Sequence, residues 1–222
     1  MDWSRIASNA RTGFERGVNE WILRARVGLG RIQGPNAEIT PGSLSSDVNF
    51  EPTLRDGMTA TGAPSLVSQF IARELAGAWK EWADGFRMSL PGAFPGFAAF
   101  PGPQAPPTRS ARASYPLSMG SSAGEHRLRA ISIQTRLASA LRASAGREAS
   151  EMETEVRRLA NWIDLSVRDW MVSAQVIELM GGGPTPTWAP PYVPVGPVIV
   201  GSGHNSAAPG RLAGPRFGKA GF

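Results

Sequence analysis

Residues 122–180, SAGEHRLRAISIQTRLASALRASAGREASEMETEVRRLANWIDLSVRDWMVSAQVIELM, decide the fold. Leu128, Ile131, Ala138, Leu141, Ala145, Ala149, Met152, Val156, Leu159, Ile163, Val167, Trp170, Ala174 and Ile177 keep one heptad-like phase, and Thr135 fills the missing place. An apolar stripe at this spacing marks an amphipathic helix. Ser122-x-x-Glu125 reads as a capping box at its start. The phase passes through Gly146 and favours one continuous or merely kinked helix, which at about 1.5 Å per residue would span roughly 87 Å. Gly146 followed by Ser150-x-x-Glu153 is also a stop and restart, so a helical hairpin is the alternative.

Beyond this region, residues 181–222 form a Pro/Gly-rich arm. Its first thirty residues, GGGPTPTWAPPYVPVGPVIVGSGHNSAAPG, contain no Asp, Glu, Lys or Arg. Disordered tails stay soluble through charge and low hydrophobicity, whereas this one carries Trp188, Tyr192, Val193, Val195, Val198, Ile199 and Val200 among seven prolines. Proline fixes φ and lacks an N–H, so helix is excluded and extended geometry laid along another surface is expected. Trp188, Tyr192, Val195, Val198, Ile199 and Val200 are the candidate partner-binding residues. Arg211, Arg216 and Lys219, spaced by glycines, make a basic tip and are candidate nucleic-acid contacts.

Toward the N-terminus, residues 91–121 read as a Pro/Phe-rich extended linker in which Phe94, Phe97 and Phe100 recur every third residue. A three-fold polyproline helix would align these rings on one edge, as partner anchors. Alternatively, the rings fold back over the preceding helix and close its core. That helix, assigned to 63–90, has Pro64 at its start and a wide stripe from Leu66 and Val67 through Trp79 and Trp82 to Phe86 and Leu90. Residues 31–62 read as an extended connection broken by Gly34-Pro35, Pro41-Gly42, Pro52 and Gly57, with short strands or docked extended pieces both open. Residues 1–30 read as an amphipathic helix with Asp2 as N-cap and a stripe of Trp3, Ala7, Ala10, Phe14, Val18, Trp21 and Ala25. Gly13 and Gly17 inside it either weaken the helix or mark close backbone contact with another one.

Chemistry is sparse. There is no Cys, and the two His, His126 and His204, have no neighbouring ligand partner, so neither a metal site nor a cofactor is expected. Gly28-x-Gly30-x-x-x-Gly34 follows a helix, and Gly218-Lys219 lacks the Ser or Thr of a phosphate loop. Ser202 and His204 lie in a Gly-rich run without the strand-turn-helix setting that positions a nucleophile. No catalytic residue is expected, and the chain is read as a non-enzyme. A formal charge of +5 permits nucleic acid, an anionic membrane or an acidic protein as partner. No stretch approaches the roughly 18 apolar residues of a membrane span, and the first residues lack the apolar core of a secretory signal.

Amphipathic helices combined with FPGFAAFPGPQAPP and APPYVPVGPVIVGSGHNSAAPGRLAG resemble, in style, the structural proteins of tailed-bacteriophage virions. The resemblance covers about a third of the chain and matches no defining motif, so no residue role is carried over. It implies a symmetric, multi-copy assembly whose partners are copies of this chain and other structural subunits, placed in a virion assembled in the host cytoplasm. Otherwise, the location expected is cytoplasmic. The expected fold class is mainly α, with a long C-terminal-half helix and extended Pro/Gly-rich arms. A basic nucleic-acid-associated protein, or a membrane-surface protein using the first helix, is the alternative.

Overall fold

The computed structural model describes residues 1–186, 195–200 and 209–218, with Val200 described by its backbone. It opens with α1, Trp3–Arg24, whose first turn is capped by the Asp2 carboxylate accepting the Arg5 N–H at 2.8 Å. The α1 stripe is buried within the chain: Trp3, Ile6, Ala10, Phe14, Val18 and Trp21 all face inward. A membrane-surface role for this stripe therefore loses its basis. The strands β1 (Arg26–Val27), β2 (Arg31–Gln33), β3 (Asn36–Ile39) and β4 (Leu44–Ser45) follow.

The reading of 31–62 as a purely extended connection is corrected here, because α2 occupies Glu51–Ala60. Pro52 lies in the first helical turn, where its missing N–H would be unpaired in any case. Gly57 lies on the open side, with nothing within 4 Å of an added Cβ. Gly13 and Gly17 of α1 are different, since a Cβ on them would come within 2.5 Å of Leu54 and Phe50. These glycines set the close approach of α1 to α2 and to the residue before it.

The next helix, α3, covers Ser65–Asp84, and the chain then changes period. Phe86 and Leu90, in phase with the helical stripe, belong with Met88 to strand β5 (Phe86–Leu90), where burial alternates strictly. Residues 94–100 do not form a polyproline strip. A single 3₁₀ turn at Pro95–Phe97 stacks Phe94 on Phe97 at 5.1 Å between ring centres, and Phe100 meets Phe97 edge-on at 6.4 Å. Strands β6 (Gln104–Arg109), β7 (Ser114–Pro116) and β8 (Ser121–Ser122) lead to a 3₁₀ turn at Glu125–Leu128. Ser122 uses its hydroxyl to accept the Gly124 N–H and to donate to the Trp82 carbonyl, so no capping box forms.

Of the two readings of 122–180, the hairpin is the one formed. Helix α4 (Ala130–Ala145) turns at Gly146, which sits at φ +53°, and α5 (Ala149–Ser173) runs back along it. Asp164 of α5 accepts the Ala130 N–H at 3.0 Å and so caps the far end of α4, and Arg142 pairs with Glu153 near the turn at 2.5 Å. The longest helix, α5 with 25 residues, does lie in the C-terminal half. It ends at Ser173, and the remainder of the stretch becomes β9 (Gln175–Ile177) and β10 (Met180–Pro184). Gly181 is packed so tightly that a Cβ would lie 2.6 Å from Phe94 and 2.8 Å from Ile32. The phenylalanines thus cover the strands around Ile32 and Gly181. The last strands are β11 (Ile199–Val200) and β12 (Gly210–Ala213).

Two five-stranded antiparallel sheets result, in the orders β4-β1-β12-β9-β7 and β11-β2-β3-β5-β8, with β10 and β6 forming a separate ribbon. Helix accounts for 53% of the structure and strand for 21%, so helix predominates but the class is α+β. Helices α1, α3 and α5 enclose an aromatic cluster centred on Trp79, whose ring lies 4.9–6.2 Å from those of Phe14, Trp21, Trp82, Trp170 and Phe217. No helix among the described residues is long and apolar enough to cross a membrane.

Candidate functional site

The C-terminal segment, expected to seek another surface, lies in its described parts on its own chain. Phe100 and Gly196 exchange both backbone hydrogen bonds, at 2.8 and 3.3 Å, and Val198 donates to the Phe97 carbonyl while accepting from Gly34. β11 then pairs with β2, placing Ile199 opposite Gln33 and Val200 opposite Ile32. Strand β12 occupies the centre of the first sheet, with Arg211 opposite Arg26 on one side and Ile177 on the other. Past β12 the chain crosses to α1. Asn19 there accepts the Phe217 N–H at 2.9 Å and donates to the Phe217 carbonyl at 3.2 Å. This two-way bond seats the Phe217 ring, fully buried, against Phe14, Trp79, Trp162 and Trp170.

Several expected partner contacts are corrected by this geometry. Phe94 and Phe97 are 2% and 3% exposed and fill the protein's own core, and Val198 is buried as well, because the strand edge they cover belongs to the same molecule. Phe100 packs half-buried against that core. Val195 and Ile199 remain exposed, at 56% and 36%. Trp188, Tyr192 and Lys219 lie outside the described residues, as do Ser202, His204 and the side chain of Val200. Phe217 and Asn19 carry the seat of the segment, and neither was singled out. A phenylalanine set between Arg216 and Lys219 in the basic tip GPRFGKAGF was the signal available for the first.

A second feature is a row across the outer face of the first sheet. Strand register aligns Ser45, Arg26, Arg211, Ile177 and Ser114, one from each strand. Arg211 gives a two-pronged ion pair to Glu178, donating Nε to one carboxylate oxygen at 2.7 Å and a terminal nitrogen to the other. Hydrogen bonding to Arg211 holds the Glu178 carboxyl below the usual range and raises the guanidinium pKa in turn. Glu178 takes φ +58°, the only left-handed non-glycine among the described residues. Next to the row is an open cleft of about 460 Å³ lined by Leu23, Arg24, Arg26, Asp47, Pro209 and Arg211. Arg24 meets Asp47 at 3.9 Å, and Arg26 has no ion pair among the described residues. Arg216, also expected in the basic tip, is exposed.

Another cleft, about 420 Å³, has Trp21, Phe50 and Trp79 in its wall and Asp47, Glu51 and Asp84 around it, with Lys80 ion-paired to Asp84. His126 is tied to the Ala123 carbonyl through Nδ1 at 2.9 Å. Among the described residues no group of three or more His, Cys, Asp or Glu is placed to hold a metal.

The chain is an α+β protein whose own C-terminal strand completes a sheet and whose outer face carries an arginine row. No protein-family model matches it, and neither a curated protein nor a solved structure does.

Proposed function

We propose that the protein is a non-enzymatic structural subunit of a multi-copy particle, in the first instance a bacteriophage virion component, whose chain-end segments join neighbouring copies. The observation that supports this reading is the manner in which the C-terminal segment is seated. β12 is inserted between β1 and β9, and Phe217 fills a pocket formed by α1, α3 and α5, while the runs 187–194 and 201–208 that lead to it are free of charge. A strand and a plug of this kind make the same hydrogen bonds and apolar contacts whichever copy donates them, which is how exchanged elements link protomers. Other structural subunits would be met through exposed residues such as Val195 and Ile199.

Because the segment also completes the core, deleting it tests folding as much as assembly. A cleaner test uses the absence of Cys. Ala213 and Gln175 are cross-strand neighbours, so Ala213→Cys with Gln175→Cys allows a disulfide across the seat of the segment. Covalent multimers on oxidation, together with a native mass many times 23.6 kDa, are expected. A large native mass with bonds only within chains would retain the assembly and remove the exchange. A 23.6 kDa species under all conditions would overturn both.

A further inference from the structure

The pairing of Arg26 with Arg211 breaks a local rule. Like charges directly opposite on neighbouring antiparallel strands repel, and sheets ordinarily avoid them. Here the two arginines are in register at the middle of a five-strand row. Of the two, only Arg211 has an ion pair among the described residues, with Glu178, whose left-handed backbone lies in the turn from β9 to β10. Arg24, the last residue of α1, is accounted for by the negative end of the helix dipole. That argument does not extend to Arg26, which lies past the helix on a strand and makes no ion pair among the described residues. A like-charge pair kept in register at an exposed place, with one member left without an ion pair among the described residues, points to an anionic ligand that relieves it.

We propose that this face binds the phosphodiester backbone of a nucleic acid, with Arg26 and Arg211 as the central contacts, Arg24 lining the adjacent cleft, and the Ser45 and Ser114 hydroxyls at the ends of the row. Guanidinium groups donate in pairs to phosphate oxygens, and serine hydroxyls add single donors. Five strands about 4.8 Å apart give a linear track of roughly 19 Å, which suits a polymer of regularly spaced charges. An anionic bilayer fits less well. The carboxylates of Asp47 and Glu178 are within the face and would meet a plane of headgroups, and among the described residues Leu23 is the only large exposed apolar side chain in the cleft. The two carboxylates also define the competition: bound phosphate takes Arg211 from Glu178 and Arg24 from Asp47. This inference stands apart from the assembly reading, because a monomer would show it equally.

The experiment measures retention of a labelled DNA duplex by the full chain as a function of salt. Binding at low salt that weakens steeply as salt rises is expected. Arg26→Gln should weaken it several-fold and reduce the salt slope by about one. Glu178→Gln, which frees Arg211, should tighten it several-fold, an effect that a merely structural ion pair would not produce. Arg157→Gln, at an exposed position on α5, should leave it unchanged, and thermal melting of each variant confirms folding. Retention insensitive to Arg26→Gln and Glu178→Gln would overturn the proposal. So would displacement by millimolar inorganic phosphate at constant ionic strength, which identifies a single-phosphate site. Binding to phosphatidylglycerol vesicles without binding to the duplex would overturn it in favour of a membrane.

Discussion

The α4–α5 hairpin and the C-terminal segment rest on the same core but are held in opposite ways. The hairpin consists of helices with their own periodic apolar faces, joined by one left-handed glycine at 146 and fastened by Asp164 and by the Arg142–Glu153 pair. The described parts of the C-terminal segment make their hydrogen bonds to distant residues. Their order comes from β1, β9 and Asn19, and Asn19 and Phe217 are 198 positions apart in sequence. A pattern that repeats within a few residues can be read from a chain, while a partnership across most of its length cannot. The aromatic cluster depends equally on both.

That difference can be broken at its ends. Phe217→Ala removes the plug from the cluster around Trp79 and is expected to lower unfolding free energy by about 3–5 kcal/mol, with Leu137→Ala in the hairpin at about 2–5 kcal/mol. Denaturant titration measures both. If Phe217→Ala is the milder of the two by a wide margin, the segment is an accessory and not part of the core. A smaller contrast lies within the first two helices. Gly17→Ala meets the Phe50 ring and should be destabilising by about 1–3 kcal/mol, whereas Gly57→Ala, in open space, should gain about 0.5–1 kcal/mol from helix propensity. Equal effects at the two glycines, in thermal melts, would contradict the close α1–α2 contact.

The smallest effect is expected on acidification. The carboxyl of Glu178, held by Arg211, and that of Glu148, hydrogen-bonded to the Met1 amine, both have lowered pKa values. A depressed acid contributes stability that is present above its unfolded value, near 4.3, and is lost as pH falls through the folded value. The stability difference between the natural chain and Glu178→Gln should therefore be largest near neutrality and vanish in strong acid. Both groups are exposed, so the difference is small. A gap that widens on acidification would show the sign to be wrong.

The helical part of the fold was legible because α1, α3, α4 and α5 bury stripes at 3.6-residue spacing. What escaped did so for identifiable reasons. Phe86 and Leu90 fit a helical phase and a strand phase equally, and pairing with the distant strands β3 and β8 decides between them. Pro52 was read as a breaker although the first turn of a helix accepts it. Gly181 resembled a helix stop, yet its lack of a side chain is what lets β10 lie against Phe94 and Ile32. At the candidate site, the basic character of Arg211 and Arg216 was visible, but the opposition of Arg26 and Arg211 exists only once two distant strands are in register.

Strand β12 lies between β1 and β9, which gives the order of synthesis a physical meaning. β1 leaves the ribosome first, and its partner at residues 210–213 follows 183 positions later, from Val27 to Gly210. At roughly 5–20 residues per second, that interval is on the order of ten seconds or more. Throughout it β1 offers an open edge on one side and the aromatic cluster lacks its plug. Nascent chains held close together on one messenger would present such edges to one another, so translation itself is the period in which a tail can find a neighbour's sheet before its own.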